Sequence, residues 1–279
     1  MRSALKYIAV LLCVFTALLG GCVELGEVRE FAGVSKSASS LLPALVADIH
    51  ATCERRAAYA PIGKQAETLE TCKKLAASEP GILKTQEVLL DYMAALKSLA
   101  GHQQVSYGKK LDGLPDDLSE SGLDTKQVSA VTGLAKKLAD AALNGYRRKE
   151  LSNLIGSAND DLQVVTAALG TIIVTDYKRE LSQEREGAQE YFRSALKTYE
   201  LSEPLAAIAV RRDLQSDEAT IATKEQAADA YGKIMKDIAT GHQKLYDSRN
   251  KWTTESLLKD VAPIIEDLDD SAQKVKEAF

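Results

Sequence analysis

Residues 162–174 read LQVVTAALGTIIV, a stretch in the middle of the chain with no charged side chain. It is too short to cross a bilayer, which takes roughly 20 apolar residues. Its β-branched residues would suit a buried strand, but the sequence around it, over about 148–200, has the spacing and composition of a helix. We therefore interpret the stretch as a fully buried part of a long helix, with a buried strand as the alternative.

The composition of the whole chain favours the same fold class. Of its 279 residues, 45% are hydrophobic and 27% are charged, a globular balance that excludes wholesale disorder. Aromatic residues make up 5%, and the common residue types are strong helix formers. The formal net charge of −5 argues against nucleic-acid binding, which needs a basic surface. We predict an all-α fold, an elongated antiparallel bundle of long helices.

Three helices are predicted in the N-terminal part of the bundle. The first covers about 24–59, and Pro43 bends or divides it. The second runs from about 64 to 77. The sequence of residues 78–81, SEPG, predicts a break before a third helix at about 80–101.

Residues 102–124, rich in Gly, Asp and Ser, form the longest predicted loop or linker. They separate an N-terminal helical hairpin region, residues 22–101, from a C-terminal helical bundle region, residues 125–279, and we expect both to belong to one continuous bundle. The first two C-terminal helices are predicted at 123–146, capped by Asp124 or Thr125, and at 148–200. A short helix is predicted from Pro204, and a further helix from a Thr223 cap to about Arg249. The last helix is predicted to begin at a Thr254 cap, and Pro263 can kink it.

The N-terminus has the layout of a secretory signal peptide over residues 1–21. Arg2 and Lys6 precede an apolar stretch, and the sequence Leu19-Gly20-Gly21-Cys22 closes it. This ending resembles the lipobox of bacterial lipoproteins, a resemblance limited to the first two dozen residues. It implies cleavage before Cys22 and lipid attachment to its sulfur.

The resemblance also implies a location. Several acyl chains hold a protein durably to a bilayer, whereas one chain binds marginally. Val23 follows the cysteine where an inner-membrane lipoprotein would carry Asp, so the resemblance favours the outer membrane. The expected partners are the membrane, through the acyl chains, and another protein of the cell envelope.

Two cysteines, Cys53 and Cys72, remain after Cys13 is lost with the signal peptide and Cys22 takes lipid. An exported protein forms disulfides, and a turn signal at residues 59–63 lies midway between the pair. A helical hairpin about this turn would place the two cysteines level with each other. No second Cys pair or His pair completes a metal site, so we predict a disulfide.

Motifs for catalysis or cofactor binding are not found in the sequence. The histidines, His50, His102 and His242, lie in no H-E-x-x-H or E-x-x-H motif, and no nucleophile elbow, Walker loop or dinucleotide fingerprint occurs. His50 and Glu54 could offer two metal ligands, but an ordinary contact between residues four apart on a helix is the simpler interpretation. We assign no catalytic, cofactor-binding or metal-binding residue.

Residues 92–103 and 231–243 resemble each other when one residue is inserted, both beginning with Tyr and ending in Gly-His-Gln. The similarity matches no solenoid period. We interpret it as coincidence or a shared packing requirement, with two related helical halves as the alternative.

The leading functional hypothesis is a membrane-anchored envelope lipoprotein that acts as a non-enzymatic helical scaffold or protein-binding subunit. The alternative is a periplasmic carrier of a lipid or small molecule, with its cavity along residues 162–174. A third hypothesis is a peptidoglycan-active enzyme whose carboxylates meet only in the folded protein.

Overall fold

The computed structural model describes residues 25–107, 113–119, 121–144 and 148–279. The predicted signal peptide and Cys22 lie outside these ranges. The described residues form nine α-helices and one π-helical turn, with no strand. The elements are α1 Gly26–Ser39, α2 Leu42–Tyr59, α3 Ile62–Ala100, α4 Leu114–Asp117, α5 Thr125–Asn144, α6 Arg148–Thr171, the π-helical turn Ile172–Tyr177, α7 Lys178–Tyr199, α8 Pro204–Ser248 and α9 Thr254–Lys276.

Long antiparallel helices build the whole structure, which confirms the predicted fold class. Helices α1 and α2 together run antiparallel to α3, because Gly33 lies against Lys97 near one end and Cys53 is bonded to Cys72 near the other. Helices α6 and α7 run antiparallel to α8, since the Gln163 amide donates to the Ala239 carbonyl at 2.9 Å, whereas Arg185, later in the chain, donates to the earlier Glu225 at 2.7 and 2.8 Å. Helix α5 packs against α6 and α3, and α9 packs against α8 and α1.

The two prolines in the N-terminal half act differently. Pro43 lies in the first turn of α2, where its missing N–H costs nothing, and it divides α2 from α1 as predicted. The predicted break at residues 78–81 is wrong, because α3 continues through Pro80. The Pro80 ring is exposed, while Gly81 and Ile82 next to it are buried. Packing of the flanking turns thus holds the helix together although one hydrogen bond is lost.

The predicted division of the last 80 or so residues also needs correction. Helix α8 is continuous from Pro204 to Ser248, so the short helix and the separate helix beginning at Thr223 are one element. The Thr223 hydroxyl donates to the Ala219 carbonyl at 3.1 Å, four residues back, and therefore caps nothing. The last helix is capped by Thr253, whose hydroxyl accepts from the Ser256 N–H at 3.0 Å.

In the described part of residues 102–124, the predicted loop or linker, α4 is the one short helix. Asp124 caps α5 as expected. Its carboxylate accepts from the Gln127 N–H at 2.9 Å, and the Gln127 amide oxygen accepts from the Asp124 N–H at 2.9 Å. Two reciprocal bonds of this kind fix where a helix begins.

Residues 162–174 are helical, so the strand alternative is excluded, but the segment is not fully buried. Leu162, Val165, Leu169 and Ile173 are buried in the core. The opposite face is open, with Ala167 exposed and Val174 37% exposed. The helix then widens into the π-helical turn, which ends on the buried Tyr177. The apolar composition of residues 162–174 predicted that this helical segment is buried on all sides. In the structure, the neighbouring helices cover only part of its circumference.

Candidate functional site

A partly buried cluster of charges, here called the Asp48 network, joins α2 to three other elements. The Asp48 carboxylate accepts from Tyr177 at 2.5 Å, Lys224 at 2.8 Å and Arg55 at 3.2 Å. Arg55 also donates to both oxygens of Glu184, at 2.5 and 3.0 Å. The network therefore links α2 to the π-helical turn, to α7 and to α8, and its charges are paired.

Burial and hydrogen bonding act in opposite directions on Asp48. Its side chain is 11% exposed, and burial favours the neutral acid. The bonds from Lys224, Tyr177 and Arg55 outweigh that effect and hold the pKa of Asp48 below its ordinary value of 3.8. Because its donors already occupy both oxygens, the network holds helices together rather than presenting a reactive group.

A second polar chain runs through the core from α3 to α6 and α8. His242 Nε2 lies 2.6 Å from the Tyr92 hydroxyl, and His242 Nδ1 lies 3.0 Å from the Asn159 side-chain oxygen. The Asn159 amide donates in turn to Gln243 at 2.9 Å. Burial lowers the pKa of His242 to about 3. A neutral imidazole can then accept from Tyr92 and donate to Asn159, which satisfies both ring nitrogens.

Tyr and His side chains in contact could transfer protons, but Tyr92 and His242 are both 0% exposed. A substrate has no access to them, so their role is structural. The only sequence signal for these residues was the similarity of segments 92–103 and 231–243. In the structure, Tyr92 of the first segment contacts His242 of the second inside the core, so the two segments are related by packing.

Exposed apolar side chains are concentrated where α7 turns into α8. Leu201 is 100% exposed, Leu205 83%, Ile208 54% and Tyr199 43%. We call these four residues the distal tip. Large apolar groups grouped on one surface mark interaction sites, whereas isolated ones need no explanation. The tip was not found from the sequence, because its spacing is that of an ordinary amphipathic helix.

The distal tip lies at the end of the bundle opposite to the start of α1. Tyr59 is the last residue of α2, and its ring centroid lies 5.8 Å from that of Tyr191. Its hydroxyl donates to the Asp217 carboxylate at 2.7 Å. Residues between Tyr191 and Asp217 therefore project beyond α2, by about 15 Å at Leu201. Since α1 and α2 together span about 50 Å, the tip stands about 65 Å from the level of Gly26.

The exposed face of residues 162–174 forms one wall of a surface groove, here called the lateral groove, and α8 forms the other. Its volume is about 520 Å³. The lining is mostly small or apolar, and it includes Gln163, Thr166, Ala167, Gly170, Thr171, Val174 and Thr175 on one side and Asp229, Gly232, Met235, Lys236 and Ala239 on the other. The carrier hypothesis placed its cavity along this segment, and the structure shows an open groove there.

The predicted cysteine pair is present. Cys53 and Cys72 form a disulfide with their Cα atoms 5.5 Å apart, and both are buried. His50 Nε2 lies 3.6 Å from Glu54, the ordinary contact expected. Within the ranges that the structure describes, no group of three His, Cys, Asp or Glu residues could hold a metal ion, and no helix is long and apolar enough to cross a membrane.

Comparison with protein-family profiles, with curated proteins and with solved structures finds no match for this chain. Functional assignment therefore depends on the surfaces of the molecule itself. Two of these surfaces, the distal tip and the lateral groove, are open to solvent. The charges of the Asp48 network are instead paired with one another, and Tyr92 and His242 are fully buried.

Proposed function

We propose that the protein is a lipoprotein of the cell envelope that acts as a non-enzymatic scaffold and binds another envelope protein through the distal tip. The observation that carries the proposal is the grouping of four exposed apolar side chains at one end of the bundle. An apolar surface of this kind gains free energy when a partner removes it from water. The partner should offer an apolar cleft wide enough for a helical hairpin.

The distal tip lies at the end of the bundle opposite to the start of α1, the described element nearest in sequence to the proposed anchor. Cys22, the proposed lipid-bearing residue, is three residues before Leu25, and α1 begins at Gly26. A membrane attached there would lie at the near end of the bundle. The tip would then face away from that membrane, at a distance of about 65 Å. This arrangement suits a scaffold that reaches a partner away from its own anchoring surface.

The docking proposal can be tested by photo-crosslinking in intact cells. A photoreactive side chain replaces Leu201 at the tip, and a second variant carries it at Leu258, which is 47% exposed on α9. We expect one dominant crosslinked protein from position 201 and none of it from position 258. The same products from both positions, or none from position 201, would overturn the proposal.

The anchor is tested separately with Cys22→Ala. The substituted protein should leave the mature, membrane-bound fraction and accumulate as unprocessed or soluble material. Membrane retention of fully processed protein would remove the lipoprotein assignment and leave the docking proposal standing.

A carrier of small amphiphilic molecules is the second candidate function. The lateral groove supports it, because a volume of about 520 Å³ lies within the range of ligand sites and its lining is largely apolar.

A further inference from the structure

One wall of the lateral groove is fixed by an unusual backbone and by close packing. Thr171, Val174 and Thr175 line it from the π-helical turn and the residue before it. Single π-helical turns occur frequently at functional sites. Across the groove, a Cβ atom at Gly232 would collide with Val174, so glycine is needed for the two helices to approach there. The groove is thus a defined feature of the fold.

One cation in the groove has no acidic partner among the described residues. Lys236 is exposed and shares one face of α8 with Gly232 and Ala239, which both line the groove. The carboxylate in the groove, Asp229, is already bound by Lys178, whose Nζ lies 2.7 and 2.9 Å from its two oxygens. The groove therefore combines apolar walls with a single uncompensated positive charge.

We propose that the lateral groove binds a single-chain anionic amphiphile, with the hydrocarbon chain between the apolar walls and the anionic head on Lys236. The inference names the ligand class for the second candidate function. From Lys236 to Asp229 the α8 wall of the groove is about 10 Å long, which accommodates a short to medium-length chain. Because Asp229 is paired with Lys178, its carboxylate adds no net repulsion of an anionic head. An unpaired lysine favours a carboxylate or phosphate head.

The test is a calorimetric titration of the chain from residue 25 onward, which contains every described helix. The probes are decanoate, decyl phosphate and the uncharged decyl maltoside, each kept below its micelle-forming concentration. We expect saturable binding of the two anions at one site, and at least tenfold weaker binding of the maltoside. A carboxylate preference indicates a fatty acid, and a phosphate preference indicates a lysophospholipid head.

Two pairs of variants locate the site. Lys236→Glu should weaken anion binding by about tenfold or more, while Lys259→Glu, an exposed lysine of α9, should not. Ala167→Trp should fill the groove and abolish binding, while Ala219→Trp, at an exposed alanine of α8 away from the groove, should leave it intact.

Absence of saturable binding, equal binding of the maltoside, or unchanged binding in the Lys236→Glu variant would each overturn the proposal. A Leu201→Asp variant keeps the outcome separate from the docking proposal. It removes an apolar group of the distal tip and should leave the titration unchanged.

Discussion

Acid should destabilise the protein through one buried histidine. The pKa of His242 is about 3 in the folded protein because burial disfavours its charged form, against an ordinary value of 6.5. Above the ordinary value neither the folded nor the unfolded chain binds the proton. Between the two values the unfolded chain binds one proton more, so the free energy of unfolding falls by about 1.4 kcal/mol per pH unit. From pH 6.5 to about 4.5 the loss from this residue alone is about 2 kcal/mol.

The assay is urea unfolding followed by circular dichroism at several pH values between about 7 and 4.5. The pKa of Asp48 is lowered in the folded protein, so this residue adds stability above its unfolded pKa of 3.8. That stability is lost only as the pH falls through the folded pKa, so the contribution of Asp48 changes little between about pH 7 and 4.5. His242→Gln cannot titrate. We expect it to cost about 2 kcal/mol at neutral pH and to flatten the pH dependence by about 1.4 kcal/mol per unit.

The matched control is Tyr92→Phe, which removes a hydrogen bond to the same imidazole but leaves the histidine in place. It should lower the unfolding free energy by about 1 kcal/mol and keep the parental pH dependence. Parallel curves for the parent and the His242→Gln variant would refute the argument, because they would mean that the folded chain takes up the proton as readily as the unfolded chain.

Three further predictions concern stability at neutral pH. Replacing Cys53 and Cys72 with Ala should lower the unfolding free energy by about 3 kcal/mol, and free-thiol labelling of the parent should need reductant; rapid labelling without it would contradict the disulfide. Lys224→Met should cost about 3 kcal/mol by leaving a buried carboxylate without its lysine, whereas Lys178→Met, in a more exposed pair, should cost under about 1 kcal/mol; equal losses in urea unfolding would count against the network. Tyr231→Phe removes a buried hydroxyl without a hydrogen-bond partner, so its melting temperature should rise by a few degrees, and a fall would show that the hydroxyl is satisfied.

The features that could be predicted from the sequence are those determined by residues close together in the sequence. Helical spacing and composition gave the fold class, and Pro43 marked a division because proline is suited to a first helical turn. The Asp124 cap depends on a contact with Gln127, three residues away. The disulfide between Cys53 and Cys72 followed because only one pairing was left in a hairpin with a marked turn.

The errors arose where packing between distant segments outweighs local preference. The sequence around Pro80 predicts a break between two helices. In the structure, the proline ring is exposed and the residues that follow it are buried, so α3 stays continuous. Thr223 has the sequence of a cap, yet its hydroxyl bonds back within the helix. The Asp48 network could not be predicted, because Asp48 and Lys224 are separated by 176 positions in the sequence.

The position of the Asp48 network bears on how the distal tip is held. Side chains such as Ala and Leu on long helices pack in several registers with small differences in energy, whereas a buried carboxylate is stable only where its donors meet it. Glu184 and Lys224 lie on the two helices that continue into the tip, and both are bound to α2 through Asp48 and Arg55. We infer that the network fixes the register of α7 and α8 against α2, and with it the direction of the tip. A variant such as Lys224→Met that remains folded should therefore lose tip crosslinking from position 201 along with stability, while the Lys178→Met control keeps both.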